Sequence, residues 1–112
     1  MSAVETLQTA IDTLKRLRAE SVPGRWEATE EGGDYGVTVR AWFDNEFNGN
    51  TAVAHMRHGM NEAELIVTLH RTLDVQLAFL RAARSDLTTE RIRETDATHA
   101  IALATAINGG AK

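Results

Sequence analysis

One stretch limits what this chain can fold into more than any other: residues 61–84, NEAELIVTLHRTLDVQLAFLRAAR, the longest helical pattern and the densest run of large apolar side chains. At about 100° per residue, with Leu69 as reference, Leu65, Ile66, Leu73, Leu77 and Leu80 fall within roughly 80° on either side. Together they make a stripe that seeks burial. Asn61 followed by Glu64 matches a capping box, with the acid where the helix dipole is positive. The reverse side is unusual, because Val67, Val75, Ala78, Phe79 and Ala82 interrupt the polar series His70, Arg71, Asp74 and Arg81. A helix apolar over much of its girth is covered from two sides, so this one asks for a further helix or a second subunit.

The rest of the chain has to supply that cover. Ser2 to Glu5 is a Ser-x-x-Glu capping box, and Val4, Leu7, Ile11, Leu14 and Arg18 follow at three- and four-residue steps, predicting an amphipathic helix over 3–20. Leu17 widens its stripe beyond a coiled-coil seam, which favours packing inside the domain. Ser21-Val22-Pro23-Gly24 ends it. From Arg25 the period changes. Strands are expected at about 25–30, 35–43 and 51–57, separated by a turn at Gly32-Gly33 and a polar loop carrying Asn48-Gly49. In the second, Val37, Val39, Ala41 and Phe43 alternate with Thr38, Arg40 and Trp42, so one face packs on helices and Trp42 lies on the other. Residues 85–89 break the central helix, and 88–107 form a last helix with Ile92, Leu103 and Ile107 on its stripe, closed by Asn108-Gly109-Gly110.

The expectation is therefore one α+β domain over 1–112, ordered α-β-β-β-α-α, with a three-stranded antiparallel meander packed on helices. At 112 residues the chain suits a single domain. Its 43% hydrophobic and 25% charged residues exclude wholesale disorder. It contains no cysteine, which removes disulfides and thiolate metal sites and fits a cytoplasmic protein. No run approaches the roughly 20 apolar residues of a membrane span, and no secretory signal is expected. The net charge of -4 disfavours extended contact with nucleic-acid phosphates.

Few residues bear obvious chemistry, and no cofactor motif is present. His55 and His58 are spaced closely enough to share a metal, but on a strand that odd spacing points them to opposite faces. His70 and Asp74, four apart, and Asp96 and His99, three apart, are pairs in which a carboxylate can orient an imidazole for acid–base work, or form a helix-surface hydrogen bond. The aromatics Trp26, Tyr35, Trp42, Phe43 and Phe47 cluster in the strand region beside Arg25 and Arg40. That suits stacking on bases, anchoring a partner, or simply filling space against the first helix.

Two segments resemble a known group of proteins. Leu14-x-x-Leu17-Arg18-Ala19 followed by Ser21-Val22-Pro23-Gly24-Arg25-Trp26 is similar to the helix leading into Thr-Pro-Gly-Pro-Trp in small bacteriophage and prophage proteins, many from phages of actinobacteria. Asn61-Glu62-Ala63-Glu64-Leu65-Ile66 resembles the Asn-Asp-Ala-x-Phe-Ile segment that opens their long helix. Arg25 stands in place of the second proline and Val22 in place of the threonine. The resemblance implies phage origin, hence a host bacterial cytoplasm, and carries no assigned activity. The leading expectation is a non-enzymatic accessory protein that binds a host or phage protein and forms a homodimer, with Trp42, Val67, Val75, Phe79 and Ala82 as contact residues. The alternatives are a metal- or acid–base-dependent enzyme using His70, Asp74, Asp96 and His99, and a nucleic-acid binding module.

Overall fold

A computed structural model describes residues 1–31, 36–43, 49–56 and 59–109. The element order is α1 (Ala3–Glu20), β1 (Arg25–Glu30), β2 (Val37–Trp42), β3 (Asn50–Met56), α2 (Met60–Arg71), α3 (Leu73–Thr88), a 3-10 turn (Glu94–Ala97) and α4 (Thr98–Ile107). The architecture is α+β with an antiparallel β1-β2-β3 meander. The chain divides into two compact units, Ser21–Thr72 and the combination of Met1–Glu20 with Leu73–Lys112.

In the unit Ser21–Thr72, register explains which side chains meet α2. Trp26 lies opposite Ala41 and Ala28 opposite Val39, while Val39 also faces Ala54 and Val37 faces Met56. Directly paired residues point to the same side, so these apolar groups share one face. Between Val39 and Arg40 the register slips by one residue of β3. This bulge leaves Val53 unpaired and lets it join Ala54 against the same cluster of Val37, Val39, Ala63 and Val67. At the start of β1, Gly24 has φ of +106°, and a Cβ there would stand 2.4 Å from the Trp42 carbonyl oxygen, so only glycine permits the approach.

The helix expected over 61–84 is two helices. Their ladder is interrupted at Thr72, whose backbone N–H and hydroxyl both donate to the Leu69 carbonyl, three residues back, at 3.2 and 2.9 Å. The start also differs from expectation. Gly59 is the N-cap and α2 begins at Met60, so Asn61 lies inside the first turn rather than at the cap. The assignment of faces on α2 is reversed as well. Ala63 and Val67 are buried against the sheet, while Leu65 and Leu69 are 59% and 53% exposed. At about 100° per residue, both leucines stand roughly 160° from Val67. Met60 and Ile66 flank Ala63 and Val67 against the same cluster, so the buried stripe of α2 runs through 60, 63, 66 and 67, and of the three expected residues Leu65, Ile66 and Leu69 only Ile66 packs on the sheet.

The other unit has a leucine-rich core. Leu7, Ala10, Ile11 and Leu14 of α1 pack with Leu77, Leu80 and Ala83 of α3 and Ala100 and Ala104 of α4. The expected cap at Ser2 is present: its hydroxyl accepts the Glu5 backbone N–H at 3.1 Å and donates to Glu5 Oε1 at 3.0 Å. Asn108 Nδ2 donates to the Thr6 carbonyl at 3.1 Å, fastening the end of α4 to α1. The break expected at 85–89 is absent, because α3 runs on to Thr88. Thr88 and Thr89 turn their hydroxyls onto the carbonyls of Arg84 and Ser85, four residues back, which keeps these residues inside a helical turn. The helix ends instead at Glu90, a non-glycine residue with φ of 58°. Glu90 N–H bonds to the Leu87 carbonyl and Arg91 N–H to that of Asp86, the paired bonds of a Schellman cap. The helix expected over 88–107 is accordingly shorter, preceded by the 3-10 turn.

A candidate binding groove in the helical unit

On α3, Phe79, Ala82, Ala83 and Asp86 recur at the i, i+3, i+4 and i+7 spacing of a single stripe. Facing them across a groove are Ile92, then Asp96 and Ala97 of the 3-10 turn, then His99 and Ala100 of α4. The groove has a volume of about 240 Å³, an apolar floor and three ionisable groups, Asp86, Asp96 and His99, in its lining. The 3-10 turn is held by a reciprocal pair of bonds. Arg93 N–H donates to Asp96 Oδ2 at 3.0 Å, and Asp96 N–H donates to the Arg93 carbonyl at 2.9 Å. That arrangement leaves the Asp96 carboxylate fixed in position on the groove.

The groove joins residues that periodicity had assigned to different roles. Phe79 and Ala82, expected as partner contacts, and Asp96 and His99, expected as an acid–base pair, line one surface. Val75, one turn before Phe79, is 69% exposed, and Phe79 itself is 45% exposed. Asp86 and Ile92 belong to the same surface and were missed. Asp86 was hidden because 85–89 read as a helix break, although its seven-residue distance from Phe79 is the signal that reveals it.

The remaining expected site residues lie elsewhere. Val67 is 2% exposed in the core beneath the sheet, so it is no part of a contact surface. Asp74 is held by Arg18, with Nη1 to Oδ1 at 2.6 Å. His70 stacks on Trp26 with ring centroids 3.7 Å apart and planes within 1°. His70 and Asp74 belong to different units, and each is engaged by a partner within its own. Trp26 is fixed in turn by its indole N–H, which donates to the Val22 carbonyl at 3.0 Å.

The face of the sheet opposite α2 carries a polar network that pairwise spacing did not reveal. Thr38 is fully buried, and its hydroxyl lies 3.0 Å from His55 Nδ1. Arg40 bonds through Nε to Glu31 Oε1 and through Nη1 to Asn50 Oδ1, while the Thr29 hydroxyl donates to Glu31 Oε1 at 3.0 Å. The Arg40 guanidinium, and then the Thr29 hydroxyl, hold the Glu31 carboxyl below the usual carboxylate value of 4.5. His55 therefore sits within a strand-face network, and His58 lies outside the described residues. Among the described residues there is no group of three or more side chains able to hold a metal ion. Trp42 is half-buried on this face, and its indole N–H is buried without an acceptor among the described residues. Tyr35 and Phe47 lie outside the described residues.

No helix among the described residues is long and apolar enough to cross a membrane. Comparison with family models, curated proteins and solved structures gave no match.

Proposed function

We propose that this chain is a non-enzymatic accessory protein that works through protein–protein contact, in the phage-encoded, host-cytoplasmic setting implied by its two sequence motifs, and that it self-associates as a homodimer. The observation carrying the contact reading is the exposed run of Val75 and Phe79 leading along α3 into the groove. Apolar side chains of that size beside a concave surface are the usual centre of a protein contact. The homodimer is supported by a separate pair, Leu65 and Leu69, one turn apart on the exposed side of α2. Two leucines supply only the centre of a dimer interface, which ordinarily takes about 800 Å² from each partner.

The acid–base reading has less support. Asp74 is in an ion pair, and Asp96 uses one carboxylate oxygen to hold the 3-10 turn. The nucleic-acid reading is weakened by the two strand arginines, since Arg25 pairs with Glu27 at 3.0 Å and Arg40 with Glu31.

Affinity capture from a host lysate with the wild-type chain and with Ala82→Arg tests the contact surface. Ala82 is an exposed helical position where arginine costs the helix little. A protein retained by the wild type and lost by the variant supports the reading, whereas identical captures sink it. Light scattering at micromolar concentration tests the dimer: the wild type is expected at twice the chain mass and Leu65→Glu/Leu69→Glu at the chain mass. A monomeric wild type removes the homodimer.

A further inference from the structure

The groove is smaller than the roughly 300–1,000 Å³ typical of small-molecule sites. About 240 Å³ with a floor of Phe79, Ala82, Ala83 and Ala100 suits one large apolar side chain rather than a whole cofactor. The charge around it is specific. Asp86 enters none of the ion pairs among the described residues, and Asp96 retains Oδ1 beyond the oxygen used for the Arg93 N–H. Asp86 also lies in the last turn of α3, where the carbonyl ends of the helix are negative, and that turn carries no basic residue of its own. An apolar pocket bordered by two carboxylates and a helix C-terminus is complementary to an apolar anchor flanked by a cation.

We propose that the groove is a docking site for a basic amphipathic helical segment of a partner protein, which seats a leucine- or phenylalanine-sized side chain on Ala82 and Ala100 and places a lysine or arginine beside Asp86 and Asp96. This rests on reading the groove as a protein-contact surface, and adds the chemistry of what it selects. Acidic amphipathic segments are rejected, because the same seating would bring like charges together.

The test uses the full chain and two synthetic helical peptides with identical leucine positions, one with lysine and one with glutamate at every polar position. Binding is read by calorimetry and by amide shifts at residues 79, 82, 86, 92 and 99. The lysine peptide is expected to bind with shifts confined to the groove, and the glutamate peptide at least about tenfold more weakly. Asp86→Lys should weaken the lysine peptide by roughly fivefold. Glu20→Lys, which changes net charge equally at the exposed end of α1, beside the Arg18–Asp74 end of α3 and so about 18 Å along that helix from Asp86, should leave it within about twofold. Ala82→Arg should abolish binding by filling the groove. Equal affinity for both peptides, equal effects of Asp86→Lys and Glu20→Lys, survival of binding in Ala82→Arg, or binding of neither peptide each overturns the proposal. A lysate partner lost by Ala82→Arg alongside peptides without charge preference would remove this inference and leave the contact reading standing.

Discussion

The two units solve the same burial problem with different residues. The helical unit fills its interior with Leu7, Ile11, Leu14, Leu77 and Leu80, and side-chain bonds cap α1 at Ser2 and join its helices through Arg84 to Gln8 and Asn108 to Thr6. The sheet unit buries small residues, Ala63, Val67, Val37 and Val39, under α2 and builds a side-chain network across its other face. Bulky aliphatics give large transfer energies per residue and tolerate modest geometric precision. Small residues give less each, so the sheet unit depends more on backbone approach and hydrogen-bond geometry. Core truncations should therefore dominate in one unit, and backbone and network changes in the other.

Leu80→Ala carries the largest expected effect, since Leu80 is fully buried; it should cost about 2–5 kcal/mol in denaturant melts. Leu69→Ala, the same truncation at an exposed site of α2, should stay within about 0.5 kcal/mol, and equal losses would refute the reversed faces described for that helix. Both tryptophans, Trp26 and Trp42, lie in the sheet unit, so tryptophan fluorescence reports on the surroundings of that unit. On the sheet side, Trp26→Ala removes the His70 stack and the partial burial of the ring, and should cost about 1–3 kcal/mol by circular dichroism and amide exchange in β1 and β2. A loss no larger than that of Leu69→Ala would show that the stack holds nothing together.

The network predicts an acid sensitivity confined to the sheet unit. The folded state holds Glu31 below its ordinary value of 4.5, so this group's contribution is present above 4.5 and is lost as pH falls through the lower folded value. Tryptophan fluorescence should report a decline in stability below pH 4.5 that is shallower in Glu31→Gln. Identical acid profiles for the two would remove the Arg40 pairing from the stability of the sheet. Back in the helical unit, Ser2→Ala should cost about 1 kcal/mol through loss of the cap. A change of opposite sign is expected for Glu90→Gly, which relieves a left-handed backbone of its Cβ and should stabilise by roughly 0.5–1 kcal/mol; destabilisation would show that the Glu90 side chain matters more than its φ.

Much of this could be read from local chemistry. The Ser2 cap, the α1 stripe, the alternation of Val37, Val39 and Ala41 and the α+β order all depend on neighbours within a few residues. The groove was half legible: Phe79, Ala82, Asp96 and His99 were singled out, but as unrelated features, because only packing brings α3 and α4 to opposite walls. Thr88 and Thr89 misled for a similar reason, since a threonine hydroxyl serves equally as a cap or as an i-4 partner and local sequence does not choose between them.

Residues 61–84 show where the division falls. Sequence by itself determined that this stretch is helical and apolar on more than one side, because propensity and period are properties of the chain. Tertiary structure decided that the ladder is interrupted at Thr72, that Ala63 and Val67 face inward while Leu65 and Leu69 face out, and that Leu77 and Leu80 join a different core from Val67. Which apolar stripe is buried depends on the surface it meets, and here the apolar face of the sheet receives Met60, Ala63, Ile66 and Val67 and leaves Leu65 and Leu69 exposed.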